Sequence, residues 1–363
     1  MKYLLPLALL IACERAPVAS SPPQDRGPAP EVQEGLDDSD SLRVVALDEG
    51  EDFVLGTQGE LMWGAKMTAK GPVQVWRVQT PGTLQRATAG VLNGERAIVV
   101  AFGRGRGRLD APLSVVKIDP ETGAMRTLAR WTSPRADFAH LSISDALQDG
   151  GRVLVYAAYE SKYMVREWIH PAGGGERQAR ESIRMATSRG YSDLDGDGKA
   201  EQIIGRIYGD GQTAPGDLRI RFAADGSSVT LPVDGGVRSL HVAQRGGDTA
   251  PTLYYADGWS ANYAREGRAQ LRRAVATNGE WQAPIIARSA DEYTFNRIQP
   301  VGLPGKQELL LYGSKRLSWL KENQLTPLKG PGENAFPLLA RIGADAWLIA
   351  AGAPTRVARG PSR

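Results

Sequence analysis

Beyond residue 42 the chain is written in short apolar runs broken by glycine, aspartate, asparagine and proline, with little of the spacing that marks an amphipathic helix. The runs that read as strands are Arg43 to Leu47, Phe53 to Gly56, Val73 to Val78, Ala97 to Phe102, Leu113 to Ile118 and Val153 to Ala158. The series continues with Gln202 to Ile207, Leu218 to Phe222, Thr252 to Ala256, Gln270 to Ala274, Glu308 to Tyr312, Leu317 to Lys321 and Ala346 to Ala350. Many short strands with regular turn signals predict an all-β sandwich, barrel or propeller.

Internal repetition favours the propeller, the architecture that reuses a four-stranded unit at a period of about 40 to 50 residues. A strand, a Gly- or Asp-rich turn and a more apolar strand recur from Ser142 to Ala158, Ser192 to Ile207, His241 to Ala256 and Arg297 to Gly313. A weaker copy covers Gly90 to Phe102, and a last one covers Leu338 to Ala351. That last unit is too short for four strands, so an N-terminal strand, Arg43 to Leu47, is expected to complete it and close the ring. This reading gives seven blades over residues 43–363, with six as the alternative.

The first 42 residues have a different pattern. Leu4 to Ala12 is an apolar run behind Lys2, the size of a secretory core and too short to span a bilayer. Glu14 to Ser41 is rich in proline, serine, alanine and acids, with too little apolar surface to offset the entropy of ordering. Leu10-Ile11-Ala12-Cys13 resembles the lipobox of bacterial lipoproteins. That resemblance implies a signal peptide over residues 1–12, cleavage before Cys13, and palmitate-type acyl chains on that residue. Residues 13–42 would then be a disordered tether. Glu14 at the position after the cysteine points to the outer membrane of a Gram-negative envelope, facing the periplasm or the cell surface.

Composition narrows the chemistry. Cys13 is the only cysteine, which excludes an intramolecular disulfide and a thiolate metal cluster. The net charge of +3 is small, the arginines are scattered, and no basic run argues for nucleic acid.

The most specific local signal is Asp193-Leu194-Asp195-Gly196-Asp197-Gly198-Lys199-Ala200-Glu201. Carboxylates at alternate positions, with glycine permitting a sharp turn, can converge oxygens on one hard cation, and a flexible cage of six to eight oxygens suits calcium. Asp193, Asp195, Asp197 and Glu201 are the candidate side-chain ligands, with the Lys199 carbonyl as a fifth. An EF-hand would need a glutamate at its twelfth position, where Ile204 stands. This loop, running into a β-strand, resembles the signature of FG-GAP and VCBS repeats known from integrin α-subunit propellers. The resemblance implies one structural Ca2+, because the turns near Asp145 and Asp149 and near Gly305 lack the acids.

Weaker constellations complete the reading. His140 and His241 sit near the beginning of two of the repeat units and could face one another across a central channel as metal ligands or as an acid–base pair. Trp259, Tyr263 and Arg265, with Tyr254, Tyr255, Asp257 and Asn262, form an aromatic and polar group suited to a sugar or protein ligand. The alternating run Gly103 to Arg108 lacks the residues of a phosphate loop. With no serine-nucleophile elbow or zincin motif, the expected function is a monomeric, lipid-anchored, calcium-stabilised binding or scaffold module for a protein or carbohydrate. The alternative is a propeller lyase or glycosidase acting on envelope or extracellular glycans, whose widely spaced carboxylates would not show in sequence.

Overall fold

The computed structural model describes residues 36–359 apart from 49–50, 93, 105–110, 134, 136, 146–151, 172–177, 210–214, 244–250, 259–268, 278–279, 290–291, 302–307, 314–316, 322, 329–337, 343–344 and 351–354. The described residues contain strands, turns and irregular backbone, and no helix. The strands form six antiparallel sheets.

The first sheet contains β1 (Ser41–Asp48), β2 (Glu51–Gln58), β3 (Leu61–Thr68) and β4 (Gly71–Gln79). The second contains β5 (Thr83–Leu92), β6 (Glu95–Gly103), β7 (Ala111–Ile118) and β8 (Met125–Ser133). The third has β9 (Phe138–Asp145), β10 (Arg152–Tyr159) and β11 (Met164–Pro171), with the short strands β12 (Gln178–Ala179) and β13 (Ile183–Arg184) both pairing with β11. The fourth has β14 (Ala186–Ser192), β15 (Glu201–Arg206), β16 (Leu218–Arg221) and β17 (Ser228–Leu231). The fifth has β18 (Val237–Ala243), β19 (Thr252–Asp257), β20 (Ala269–Thr277), β21 (Glu280–Gln282) and β22 (Ile285–Ser289), and the sixth has β23 (Phe295–Val301), β24 (Glu308–Gly313), β25 (Leu317–Lys321) and β26 (Gln324–Leu328). Finally β27 (Leu338–Ile342), β28 (Asp345–Ala350) and β29 (Arg356–Arg359) return to the first sheet through the pair Glu51↔Ile342.

Strand position within a sheet explains the sequence pattern. A second strand is covered on both faces, so β6 carries the continuous run Ala97 to Phe102, all of it buried. A third strand nearer the rim alternates: in β16 Leu218 and Ile220 point inward while Arg219 and Arg221 are exposed.

Each sheet packs its face on the next. Leu55 and Phe53 of the first sheet meet Ile98, Val100 and Phe102 of the second, and Phe53 stacks on Trp76 at 5.8 Å. Trp131 of the second sheet lies 5.5 Å from Phe138, 5.6 Å from Tyr156 and 5.1 Å from Trp168 of the third. Leu253 and Tyr255 join the fourth and fifth sheets, and Phe295 and Leu309 the fifth and sixth. Full burial of one such side chain contributes roughly 1.5–3 kcal/mol. The layers close into a ring, a β-propeller.

The ring has six blades, the alternative count, rather than seven. Its innermost strands are β1, β5, β9, β14, β18 and β23, and Arg297 of β23 donates Nη2–H directly to the carbonyl of Val44 in β1 at 3.0 Å. The last repeat unit, expected to be a seventh blade, is instead an addition to the first. Its three strands wedge between neighbours, with Leu348 packing against Leu310 of the sixth sheet and Trp347 and Ile349 against Val54 and Trp63 of the first. The expected closure by Arg43 to Leu47 is also corrected, because β1 pairs along its length with the adjacent β2. The C-terminal strands come to the N-terminal sheet, and not the reverse.

Folded structure begins before Arg43. Leu36 is buried beside Val357, the Ser39 and Thr355 hydroxyls are 2.8 Å apart, and Gln74 exchanges hydrogen bonds with the backbone and carboxylate of Asp37. Residues 36–42, assigned from sequence to the tether, therefore seal the ring on its first blade.

Candidate functional site

Five of the six inner strands carry a β-bulge near their start. The unmatched residues are Gln85 in β5, Ala139 in β9, Thr187 in β14, Arg238 in β18 and Asn296 in β23. In each case the residue before the bulge is apolar and buried: Leu84, Phe138, Ala186, Val237 and Phe295. A bulge sets two residues against one on the partner strand and re-aims a side chain. Here it turns consecutive positions of each blade toward the axis.

The result is an axial cavity of about 390 Å3 to which all six inner strands contribute. Five arginines line it, Arg43, Arg86, Arg189, Arg238 and Arg297, together with His140, Gln85, Asn296 and small hydroxyl residues. Among its described lining residues there is no aspartate or glutamate. Arg43 donates to the Ser41 hydroxyl and the Leu42 carbonyl, Arg297 to the Val44 carbonyl, and Arg86 to the carbonyls of Ala139 and Gln85. Burial, then the charges of Arg297 and Arg86, pull the Arg43 guanidinium down to about 10, still charged at neutral pH.

Arg189 has a carboxylate partner. It is fully buried and pairs with Glu167 of β11 at 3.0 Å. Tyr191 donates to the other oxygen of that carboxylate, and Gln202 reaches both Glu167 and Tyr191 at 3.2 and 2.9 Å. Burial and the neighbouring carboxylate push the Tyr191 phenol up, keeping it a donor. This network ties the third blade to the fourth and neutralises one of the five guanidinium groups.

His140 lies on the cavity wall with Nε2 2.9 Å from the Ser142 hydroxyl, which is 3.2 Å from that of Ser144. Burial, then Arg189 and Arg86, lower its pKa to about 3. The ring is therefore neutral at physiological pH and a weak base. The expected meeting with His241 does not occur in this cavity: the β18 bulge presents Arg238 and Ser239 there, and His241 pairs with Tyr254 farther along the strand.

The acidic loop joins β14 to β15 at the rim of the fourth blade. Ligand oxygens of Asp193, Asp195 and Asp197 lie within 4.8 Å of one another. Gly196 and Gly198 take φ of +83° and +84°, the left-handed region that glycine enters without strain. Asp193 accepts the N–H groups of Gly196 and Gly198, Asp195 that of Asp197, and Asp197 that of Lys199, so the backbone wraps round the carboxylates. Glu201 sits outside this trio. It is fully buried at the start of β15, where Oε2 accepts the Leu194 N–H at 2.6 Å and Oε1 has no hydrogen-bond partner among the described residues. Burial pushes its carboxyl up, and the charge of Asp195 adds to this. Three clustered carboxylates and one orphaned buried carboxylate oxygen are a donor set that fits a hard, oxygen-seeking cation.

The other sequence candidates divide. Cys13, Trp259, Tyr263 and Arg265 lie outside the described residues. Their neighbours Tyr255 and Asp257 belong to the interior: Tyr255 donates to the Pro232 carbonyl, and Asp257 holds the Asp234 and Gly235 N–H groups and Arg272. Sequence reasoning missed the axial arginines. Their signal was a buried apolar residue followed by two channel positions near the start of each blade, as in Leu84-Gln85-Arg86, Val237-Arg238-Ser239 and Phe295-Asn296-Arg297.

Sheets, ring and axial cavity define the class: a six-bladed β-propeller. Comparison with solved structures agrees on the fold. Saccharomyces cerevisiae Sqt1 superposes with a TM-score of 0.54 over 92% of this chain and 100% of that one, at 10% identity. No family model and no curated protein matches the chain.

Proposed function

We propose that this propeller is a binding module that takes a protein or glycan ligand at its axial cavity and does not transform it. One observation carries the reading: five blades converge bulged positions, and the first adds Arg43 and Val44, on a single cavity whose described polar lining is basic or neutral, with no carboxylate pair. A glycosidase needs two carboxyl groups roughly 5 to 9.5 Å apart. A neutral His140 with a pKa of about 3 is too weak a base to abstract a proton efficiently near neutral pH. The test is to incubate the protein with envelope and acidic polysaccharides while following both bound ligand and new chain ends. Saturable binding without new ends is expected; new ends that vanish in His140→Gln would establish the enzyme instead.

Two further features belong to the proposal. The loop of Asp193, Asp195 and Asp197, with Glu201 and the Lys199 carbonyl, binds one calcium ion, as its likeness to FG-GAP and VCBS loops implies, and stabilises the fourth blade. Cys13 anchors the module to the outer membrane through acyl chains, which Cys13→Ser would test by releasing the protein from membranes.

A further inference from the structure

We infer that the axial cavity is an oxyanion site, in which Arg43, Arg86, Arg238 and Arg297 surround a phosphate, sulfate or carboxylate group carried by the ligand. The inference rests on the binding-module reading and specifies its chemistry. Four arguments support it, each from the cavity itself.

The first is charge. Guanidinium groups contributed by the first, second, fifth and sixth blades face one cavity with no acid among its described lining residues. Like charges gathered in a partly desolvated space repel one another, and an anion there reverses the sign of that interaction.

The second is donor geometry. The hydrogen bonds that fix Arg43 and Arg297 go to neutral oxygens, namely Ser41 Oγ and the carbonyls of Leu42 and Val44. Arg297 also lies over the Tyr312 ring at 5.4 Å. These contacts hold the side chains in place and leave the positive charge without a counter-charge among the described residues. A guanidinium has five donors in a planar fork that matches carboxylate and phosphate oxygens.

The third is the role of the bulges. Arg238 is itself the unmatched residue of its strand, and Arg86 and Arg297 directly follow theirs. The distortion of the ladder and the placing of charge coincide. Structural arginines on the outer strands, such as Arg219 and Arg221, sit in regular pairing instead.

The fourth is size and lining. A cavity of about 390 Å3 is at the small end of ligand sites, and its described apolar lining is Val44, Ala87, Ala139, Leu240 and Ile298, with no tyrosine, tryptophan or phenylalanine among the described lining residues for a sugar ring to stack on. Recognition therefore falls on the charged group. His140, neutral, with Gln85 and Asn296, supplies uncharged hydrogen-bonding groups around it.

The test is calorimetric titration of the full-length protein at low and at raised salt with three probes: inorganic tripolyphosphate, a galacturonate oligomer and the neutral maltohexaose. Saturable one-to-one binding of tripolyphosphate or the galacturonate oligomer is expected, weakening as salt rises. Binding of the first identifies a free or phosphate-borne anion, and of the second alone a uronate-bearing glycan. Arg43→Gln with Arg297→Gln should lower affinity at least tenfold, whereas Arg221→Gln should not change it. Because the double variant removes a contact that closes the ring, Arg43→Lys serves as a folded control that retains measurable binding. Binding unaffected by the double variant, or no binding of either anion, overturns the oxyanion site. Binding of maltohexaose alone, lost when Ser239→Trp fills the cavity, overturns it too but leaves the binding module standing.

Discussion

The acidic loop of the fourth blade and the arginine-lined cavity on the axis are both concentrations of one sign of charge, yet the chain builds them in opposite ways. Asp193, Asp195 and Asp197 are near neighbours in sequence, and a short turn with two left-handed glycines brings their oxygens within 4.8 Å. Arg43, Arg86, Arg238 and Arg297 are spread over most of the folded chain and meet only because the ring closes. The loop could exist on an isolated hairpin. The cavity is a property of the whole propeller, so any change that opens the ring should abolish the second and spare the first.

That contrast can be attacked at four points. The largest effect is expected at Glu167, whose carboxylate neutralises Arg189. Glu167→Ala would leave a buried guanidinium uncompensated and should cost about 3–5 kcal/mol, read as a fall in the denaturant midpoint. A loss below about 1 kcal/mol would show that Arg189 finds solvent or another partner.

Next comes the loop. Calcium at a hundredfold excess over its dissociation constant should stabilise the fold by about 2.7 kcal/mol, and Asp195→Asn should remove that gain without altering anion binding at the axis. Calcium-independent melting of the parent protein would sink the metal assignment.

The third point is acid sensitivity. His140 stays neutral in the folded protein down to about pH 3, but the unfolded chain protonates it near the ordinary 6.5. Below pH 6.5 the unfolded state therefore binds the extra proton, and stability falls as the pH drops from 6.5 toward 3. By pH 5.5 the cost is about 1 kcal/mol, and it approaches about 1.4 kcal/mol for each further unit. His140→Gln should flatten this slope in urea titrations between pH 7 and 4; an unchanged slope would mean that other groups set it.

The smallest effect is expected at Arg43. Removing one of several mutually repelling charges, Arg43→Gln should leave stability within about 1 kcal/mol of the parent in low salt, and anion-induced stabilisation should shrink. A large loss would mean that Arg43 is primarily a structural strut.

The same contrast explains what the sequence revealed. Strand runs such as Ala97 to Phe102 and Leu309 to Leu311 were legible because central strands are covered on both faces. The all-β propeller followed from their recurrence. The blade count was read one too high because Leu338 to Ala351 carries the repeat pattern, and nothing local shows that its strands extend the first sheet through Glu51 and Ile342. The acidic loop was legible because its carboxylates are near neighbours in sequence. The arginine site was not, because bulges are invisible to a strict alternation rule and because one arginine per strand reads as a solvated face until the ring places several together. His140 and His241 were paired on the assumption of equivalent register, but His140 stands two residues after Phe138 and His241 four residues after Val237, the matching positions before the bulges of β9 and β18.

The most direct measurement of the central claim is a crystal structure of the protein soaked in selenate, with anomalous scattering used to locate the anion. The account predicts a selenium peak on the axis within hydrogen-bonding reach of Arg43 and Arg297, absent from the Arg43→Gln, Arg297→Gln variant. Peaks confined to the outer blade surfaces, with the axial cavity holding only water, would contradict it.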